Sequence, residues 1–191
     1  VLRLVEQLNA ISFTQPPSAD FTFALYPAHH EANAVAFRLN VPDGGRLHGI
    51  TFDQGSLDIA WKEQQIRLPS CQIQKGSGIL GLSGWYDLAG QTISLHLLNT
   101  LPPDTFLDLL PEDTRAQAAA LVADFRFPLR LELQIGPCPV AEADRHFSGR
   151  LSFSGANVRG VPVGNLDLTV AREGPAVRLD QATVQLGDGP L

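Results

Sequence analysis

The stretch VRLDQATVQLGDG at residues 177–189 repeats a pattern that the chain has already used in IRLPSCQIQKGSG at residues 66–78. In both stretches apolar residues alternate, the alternation slips by one residue, and a Gly-x-Gly follows. Alternation with period two predicts β-strands with one apolar face. Leu179 and Ala182 are three residues apart, so they cannot share a face of a regular strand. We therefore predict a β-bulge at Asp180–Gln181, and another at Pro69–Ser70 in the first stretch.

The similarity extends upstream of these two stretches. Residues 48–78 are identical at eight of 31 positions to the residues 111 further along the chain, whereas unrelated sequences would share about two. A looser similarity continues towards the N-terminus, where helix-like sequence (1–9 and 112–124) precedes each set of strands. The pattern predicts a first repeat module at 1–111 and a second, incomplete module at 112–191, joined in one continuous sheet. We expect the sequence to be a fragment of a longer chain.

Strand patterns cover most of the remaining sequence, and they are joined by short connections that favour antiparallel neighbours. The predicted strands lie at 21–26, 34–41, 55–61, 78–87, 91–98, 125–135 and 164–170. Prolines and alanine-rich sequence predict one helical insertion at 101–125, with Phe106, Leu109 and Leu110 facing the sheet. The expected fold is mainly β with short helices: a long twisted antiparallel sheet that either curls into an open groove or folds over as a closed sandwich.

Composition limits the classes of function. The chain is 44% hydrophobic and has a net charge of -6, with no basic stripe that would bind nucleic acid. Only 18% of its residues are charged, less than in an average globular protein. Its two cysteines, Cys71 and Cys138, do not make a disulfide framework, and we interpret them as unpaired structural thiols, with Cys138 in a loop, GPCPV at 136–140. Their pairing in an oxidising compartment is the alternative.

The sequence contains no pattern typical of a catalytic, metal or cofactor site. The HHE triplet at 29–31 has no second ligand pair at metal-site spacing. Thr169 stands at the position 111 residues after Asp58, so this carboxylate does not recur in the repeat, which argues against a paired-carboxylate enzyme. Trp61, Trp85 and Tyr86 form a candidate carbohydrate platform, but Trp61 is matched by Arg172 further along the chain, so the feature does not repeat and a packing role is favoured. We predict that the protein is not an enzyme and carries no cofactor.

Three segments together resemble a known family: residues 49–97, their echo GVPVGNLDLTVAREGPAVRLDQATVQLGDG at 160–189, and PPDTFLDLLP at 102–111. They are similar to AsmA-like proteins of bacterial envelopes, which belong to the repeating β-groove, or bridge-like lipid-transfer, superfamily. The resemblance implies a sheet curled into a trough that holds phospholipid acyl chains. It also implies a periplasmic location, an inner-membrane anchor outside this sequence, and phospholipid transport between the inner and outer membranes.

On this interpretation one set of apolar residues shares a continuous concave face and lines the lipid groove. The predicted lining residues are Leu57, Ile59, Leu68, Ile73, Leu82, Leu95, Leu129, Leu131, Leu151, Leu168, Leu179 and Val184. The expected partners are phospholipid acyl chains and membrane components contacted by other parts of the parent chain. Two alternatives stay open, namely a closed β-sandwich of a structural or adhesive surface protein and a carbohydrate-binding β domain.

Overall fold

The computed structural model of the chain describes residues 11–26, 28, 33–47, 49–110, 112–122, 129–158 and 161–186. The strands within these residues are β1 Ile11–Phe13, β2 Ser18–Ala24, β3 Ala34–Val41, β4 Gly45–Leu47, β5 Ile50–Phe52, β6 Gln54–Lys62, β7 Gln65–Lys75, β8 Gly78–Asp87, β9 Thr92–Asn99, β10 Leu129–Pro139, β11 His146–Val158, β12 Val161–Glu173 and β13 Ala176–Leu186. The helices are two 3-10 helices, Pro103–Leu109 and Val140–Arg145, and one α-helix, α1, Glu112–Val122.

Ten strands form one open antiparallel sheet in the order β13-β12-β11-β10-β9-β8-β7-β6-β3-β2. At the usual strand spacing, the sheet is about 43 Å wide between its outer strands. The accessible surface of the chain is 12888 Å², against about 8,900 Å² for a compact protein of this mass. The predicted mainly-β, antiparallel open sheet is therefore confirmed, and the described strands do not form the closed sandwich.

Both predicted bulges are present. Between β12 and β13, Leu168 pairs with Ala182 and Val170 with Leu179, so two residues of β13 oppose one of β12. The register of β7 shifts in the same way against β8, between Leu68 and Cys71. Each bulge restores the apolar side chains after it to the face used before it, which explains the slip in the alternation.

The first and last four strands of the sheet have the same register. We call β2, β3, β6 and β7 the first unit, and β10 to β13 the second unit. Every residue pair between β6 and β7 becomes a pair between β12 and β13 when 111 is added to both numbers; Leu57 and Cys71 become Leu168 and Ala182. Every pair between β3 and β6 becomes a pair between β11 and β12, with 112 added on β3 and 111 on β6.

A second, smaller layer covers part of the first unit, and we call it the cap. It consists of the three-stranded antiparallel sheet β1-β4-β5 together with Leu101 and the 3-10 helix Pro103–Leu109 that follows it. Ile50, Phe52 and Leu101 of the cap pack on Val41 and Ile73 of the sheet in one buried cluster. Leu101 is completely buried. This cluster is the hydrophobic core of the described residues.

The helical insertion lies where the sequence placed it, but only part of it contacts the core. Phe106 packs against the buried cluster, as predicted. Leu110 is 37% exposed and does not pack against the buried cluster, so the expectation that it faces the sheet stays a prediction. It lies between the 3-10 helix and α1, which contact each other. Three predictions concern parts that the structure does not describe: the direction of the Leu109 side chain, the helix at 1–9, and the strand residues 125–128.

Both cysteines are free in the structure. Cys71 pairs with Leu57 and Leu82 in neighbouring strands and shares their face, in keeping with a small apolar role. Burial raises the pKa of its thiol. Cys138 is buried within β10 opposite Ile93, so the loop predicted around it is wrong. A register shift after Ile135 realigns the strand so that this proline-flanked segment still pairs with β9.

Candidate functional site: the apolar face of the sheet

The large sheet has one face lined almost entirely by apolar side chains, which we call the apolar face. One row of paired residues crosses the sheet from β3 to β13 at nearly the same height. This row consists of Leu39, Leu57, Cys71, Leu82, Leu97, Leu133, Gly149, Val170 and Leu179. Because side chains alternate along each strand, rows two residues above and below face the same way.

All twelve residues proposed from the sequence to line a groove lie on the apolar face. The register brings Leu68 beside Gly84 and Leu95, and it aligns Leu131, Leu151 and Leu168 in neighbouring strands. Leu129 and Val184 lie in the row formed with Phe153 and Leu166. The predicted common face is thus present as a structural feature, whereas the role of these residues toward lipid stays a prediction.

On the apolar face, side chains are buried beneath the cap and exposed on both edge strands. Ile73 is only 9% exposed because the cap covers it, so it is not open to a ligand. Leu179 and Val184 are 58% and 54% exposed on the edge strand β13. The opposite edge strand, β2, exposes Phe21 and Phe23, whose rings lie 6.0 Å apart. The other predicted lining residues are half-buried by their neighbours in the sheet.

The opposite face is polar and carries ion pairs between and along the strands. Arg38 of β3 contacts Asp58 of β6, and Arg150 of β11 contacts Asp167 of β12. Arg150 Nε donates to Asp167 Oδ1 at 3.0 Å. The guanidinium of Arg150 lowers the pKa of Asp167 by hydrogen bonding to its carboxylate. The two faces therefore differ in chemistry as sharply as the strand alternation predicts.

The depressions on the polar face of the described residues are shallow and open to solvent. One is lined by His96, Glu132, Gln134 and Arg150. His96 is exposed, and Glu132 has a lowered pKa because it accepts a hydrogen bond from Arg130. Within the described residues, no three His, Cys, Asp or Glu side chains are grouped so that they could hold a metal ion. The HHE triplet at 29–31 lies outside those residues.

The three aromatic residues considered as a carbohydrate platform do not lie together. Trp61 pairs with Ile66 and Ile66 with Tyr86, so Trp61 and Tyr86 are on the apolar face with a strand between them. Trp85 pairs with Arg67 and Ser94 and lies on the polar face. The side chains of the two tryptophans thus lie on opposite faces of one sheet.

Sequence reasoning missed the cap, which decides how much of the apolar face is open. Its buried residues Ile50, Phe52 and Leu101 lie in short segments that give no long periodic signal. The connection between β3 and β6 has twelve residues (42–53), enough to form a hairpin over the sheet, but its length alone was no signal. The equivalent residues of the second unit, 154–164, are nearly as many, and those that the structure describes extend β11 and β12 instead.

None of the described helices is long and apolar enough to cross a bilayer. Comparison of the chain with protein-family models, with curated proteins and with solved structures finds no match.

Proposed function

We propose that this chain is a segment of an envelope protein whose open apolar sheet holds the acyl chains of phospholipids during transport between the inner and outer membranes. The observation that carries the proposal is the continuous apolar face, which extends across ten strands and, as far as the described residues show, is covered only at the cap. Exposed apolar area of this size is rare on soluble monomers and marks a ligand or partner surface.

The physical properties of the two faces support a lipid as the ligand. An acyl chain has no polar atoms to satisfy, so it gains free energy from any dry surface of leucine, isoleucine and phenylalanine. The row of Leu131, Leu151 and Leu168 offers such a surface without interrupting charges. The polar face, with its Arg–Asp pairs, is suited to water.

We further infer that the sheet curls into a groove and is built from modules of about 111 residues. The shared register of the first and second units supports this inference. Adding 111 or 112 to the residue numbers of a pair in the first unit gives a pair in the second unit. The pair β8–β9 joins the two units, which gives a repeating group of six strands. A periplasmic location and an inner-membrane anchor in the parent chain belong to the same proposal and rest on the resemblance described above.

The two tryptophans allow a direct test with lipids whose acyl chains carry bromine, which quenches indole fluorescence on contact. In the variant Trp85→Phe, only Trp61 on the apolar face remains, and we expect brominated phosphatidylglycerol to quench it. In the matched variant Trp61→Phe, the remaining Trp85 on the polar face is expected to keep its fluorescence. Equal quenching of both tryptophans, or of neither, would contradict the proposal.

Photocrosslinking tests the same proposal on the second unit. A photoreactive residue at Leu131 or Leu151 is expected to capture phospholipid, whereas the same probe at Arg130 or Glu132 on the polar face is not. These two pairs are close matches, since they lie on the same or neighbouring strands. Capture at both faces alike would favour non-specific adsorption over a groove.

A further inference from the structure

The strands of the second unit carry four arginines, and three of them lie on the polar face, where each contacts a carboxylate. Arg130 contacts Glu132, Arg150 contacts Asp167, and Arg178 contacts Asp180. Each pair neutralises a cation on a surface that already faces water. The arginines of this face are therefore paired without an external anion.

Arg172 of β12 is the exception. It pairs in register with Phe147 and Val177, so its side chain belongs to the apolar face. Its residue is half-buried, and its Nε donates to the carbonyl oxygen of Gly174 at 3.2 Å. Among the residues that the structure describes, no carboxylate lies within 4.0 Å of its guanidinium.

The same position in the first unit is occupied by Trp61, which is apolar. A cation thus replaces an aromatic residue at the end of an otherwise apolar row. A half-buried guanidinium with unused N–H donors is costly unless an anion accepts them. Its site at the end of β12, just before the turn at Gly174, is the rim of the apolar face.

We propose that Arg172 binds the phosphate of an anionic phospholipid whose acyl chains lie on the apolar face beside it. This inference rests on the proposed lipid-binding function and names the head-group contact within it. From Arg172 the alternate residues Val170, Leu168 and Leu166 continue down the same strand for about 20 Å. A phosphate at the rim therefore leaves room for most of an extended acyl chain over the leucines.

Guanidinium is the side chain best suited to this ligand. It presents paired N–H donors that match two oxygens of a phosphate, and it stays charged at every physiological pH. An uncharged lipid with the same acyl chains would keep the apolar contacts and lose only this interaction. The contribution of Arg172 can therefore be separated from that of the apolar face.

The test measures binding of phosphatidylglycerol and of diacylglycerol with identical acyl chains to the 191-residue chain, by native mass spectrometry. Arg172→Gln is expected to weaken phosphatidylglycerol binding about ten-fold and to leave diacylglycerol binding unchanged. Arg172→Lys is expected to restore part of the loss, because the charge returns without the paired donors. The matched control Arg178→Gln, on the polar face of the adjacent strand, is expected to change neither.

Three outcomes would overturn the head-group contact: unchanged phosphatidylglycerol binding in Arg172→Gln, an equal loss in Arg178→Gln, or displacement of the lipid by millimolar inorganic phosphate. The last result would identify a site for a free anion. If the wild-type chain binds neither lipid, the proposed function itself fails. If it binds both lipids and Arg172→Gln behaves as wild type, only the role of Arg172 fails. Thermal unfolding of each variant, followed by circular dichroism, shows that the sheet is intact.

Discussion

Ile73 and Val184 hold the same register position in the first and second units, yet their surroundings are opposite. Ile73 is 9% exposed beneath the cap, and Val184 is 54% exposed on an uncovered edge strand. The two strands are alike in alternation, in their pairing with the preceding strand and in their bulge, but β7 also pairs with β8, whereas β13 is an edge strand. The residues between the second and third strands of each unit also differ in fold: in the first unit they form β4 and β5 of the cap, whereas in the second unit residues 154–158 and 161–164 extend the hairpin of β11 and β12.

This comparison separates two properties that are often treated as one. Alternation within a strand decides that a face is apolar. Whether that face is buried depends on segments elsewhere in the chain that are long enough to fold over it. In this protein the first unit uses the part of its apolar face beneath the cap as a hydrophobic core, and the second unit leaves the equivalent part open for the proposed ligand.

The largest expected effect of substitution is at Leu101, the completely buried residue of the cap. Leu101→Ala removes packing on both layers and leaves a cavity, so we expect a loss of about 2–5 kcal/mol in the free energy of unfolding. Urea denaturation followed by circular dichroism measures it. Leu168→Ala in the second unit is the control and is expected to cost less than half as much. A similar cost for both leucines would mean that the second unit is also covered.

The matched positions Ile73 and Val184 test the comparison directly. Ile73→Ala is expected to destabilise the protein by about 2–4 kcal/mol, because the removed atoms pack against the cap. Val184→Ala is expected to stay within about 0.5 kcal/mol of wild type, because its side chain faces solvent. Both values come from the urea midpoint at unchanged slope. The comparison would be broken if Val184→Ala cost as much as Ile73→Ala.

The turns of the two equivalent hairpins provide a smaller test. Between β6 and β7, Glu63 and Gln64 both have positive φ, 52° and 65°. In the second unit, Gly174 adopts φ 67° and is followed by Pro175. A residue with a side chain pays about 1 kcal/mol for this conformation, whereas glycine does not. Gln64→Gly should therefore raise the free energy of unfolding by up to about 1 kcal/mol, measured by urea denaturation.

The reverse substitution is the control for the turns. Gly174→Ala is expected to destabilise the second hairpin by a similar amount, for the same steric reason. If Gln64→Gly lowers stability instead, the side chain of Gln64 makes a contribution that outweighs its backbone strain. The two turns would then differ in more than their sequence.

The smallest expected effect concerns the ion pair between Arg150 and Asp167. Arg150 lowers the pKa of Asp167 below its ordinary value of 3.8 in the folded state. The carboxylate therefore contributes stability above the unfolded pKa, and this contribution is lost as the pH falls through the folded pKa. Thermal midpoints from pH 7 to pH 2 should fall less steeply for Asp167→Asn than for wild type. Parallel curves would show that the exposed pair contributes nothing measurable.

The sequence was sufficient for most strands of the large sheet and for both bulges, because period-two alternation and its interruption are local properties. The slip between Leu179 and Ala182 is resolved by the structure in the way the spacing required. The position of the helical insertion also follows from local signals, namely its prolines and alanines.

The parts that could not be predicted depend on contacts between distant segments. Nothing local to Ile73 distinguishes it from Val184, so its burial beneath Phe52 and Leu101 was not foreseen. Cys138 follows a proline and looked like part of a loop, but pairing with β9 across a register shift keeps it in a strand. Arg172 was noted only as the residue that stands in place of Trp61, because its isolation becomes visible once the register assigns it to the apolar face.

The single-layer sheet also determines how the molecule can open. Each strand of the second unit is held only by its neighbours, so the sheet behaves as a one-dimensional series of interactions. The cap adds contacts that join β3, β5, β7 and the segment after β9, and these must break together. We therefore expect local unfolding to begin at the edge strands, β13 and β2, and to reach the capped strands last. The amide protons of these open edges, where a lipid would also be admitted, are expected to exchange first.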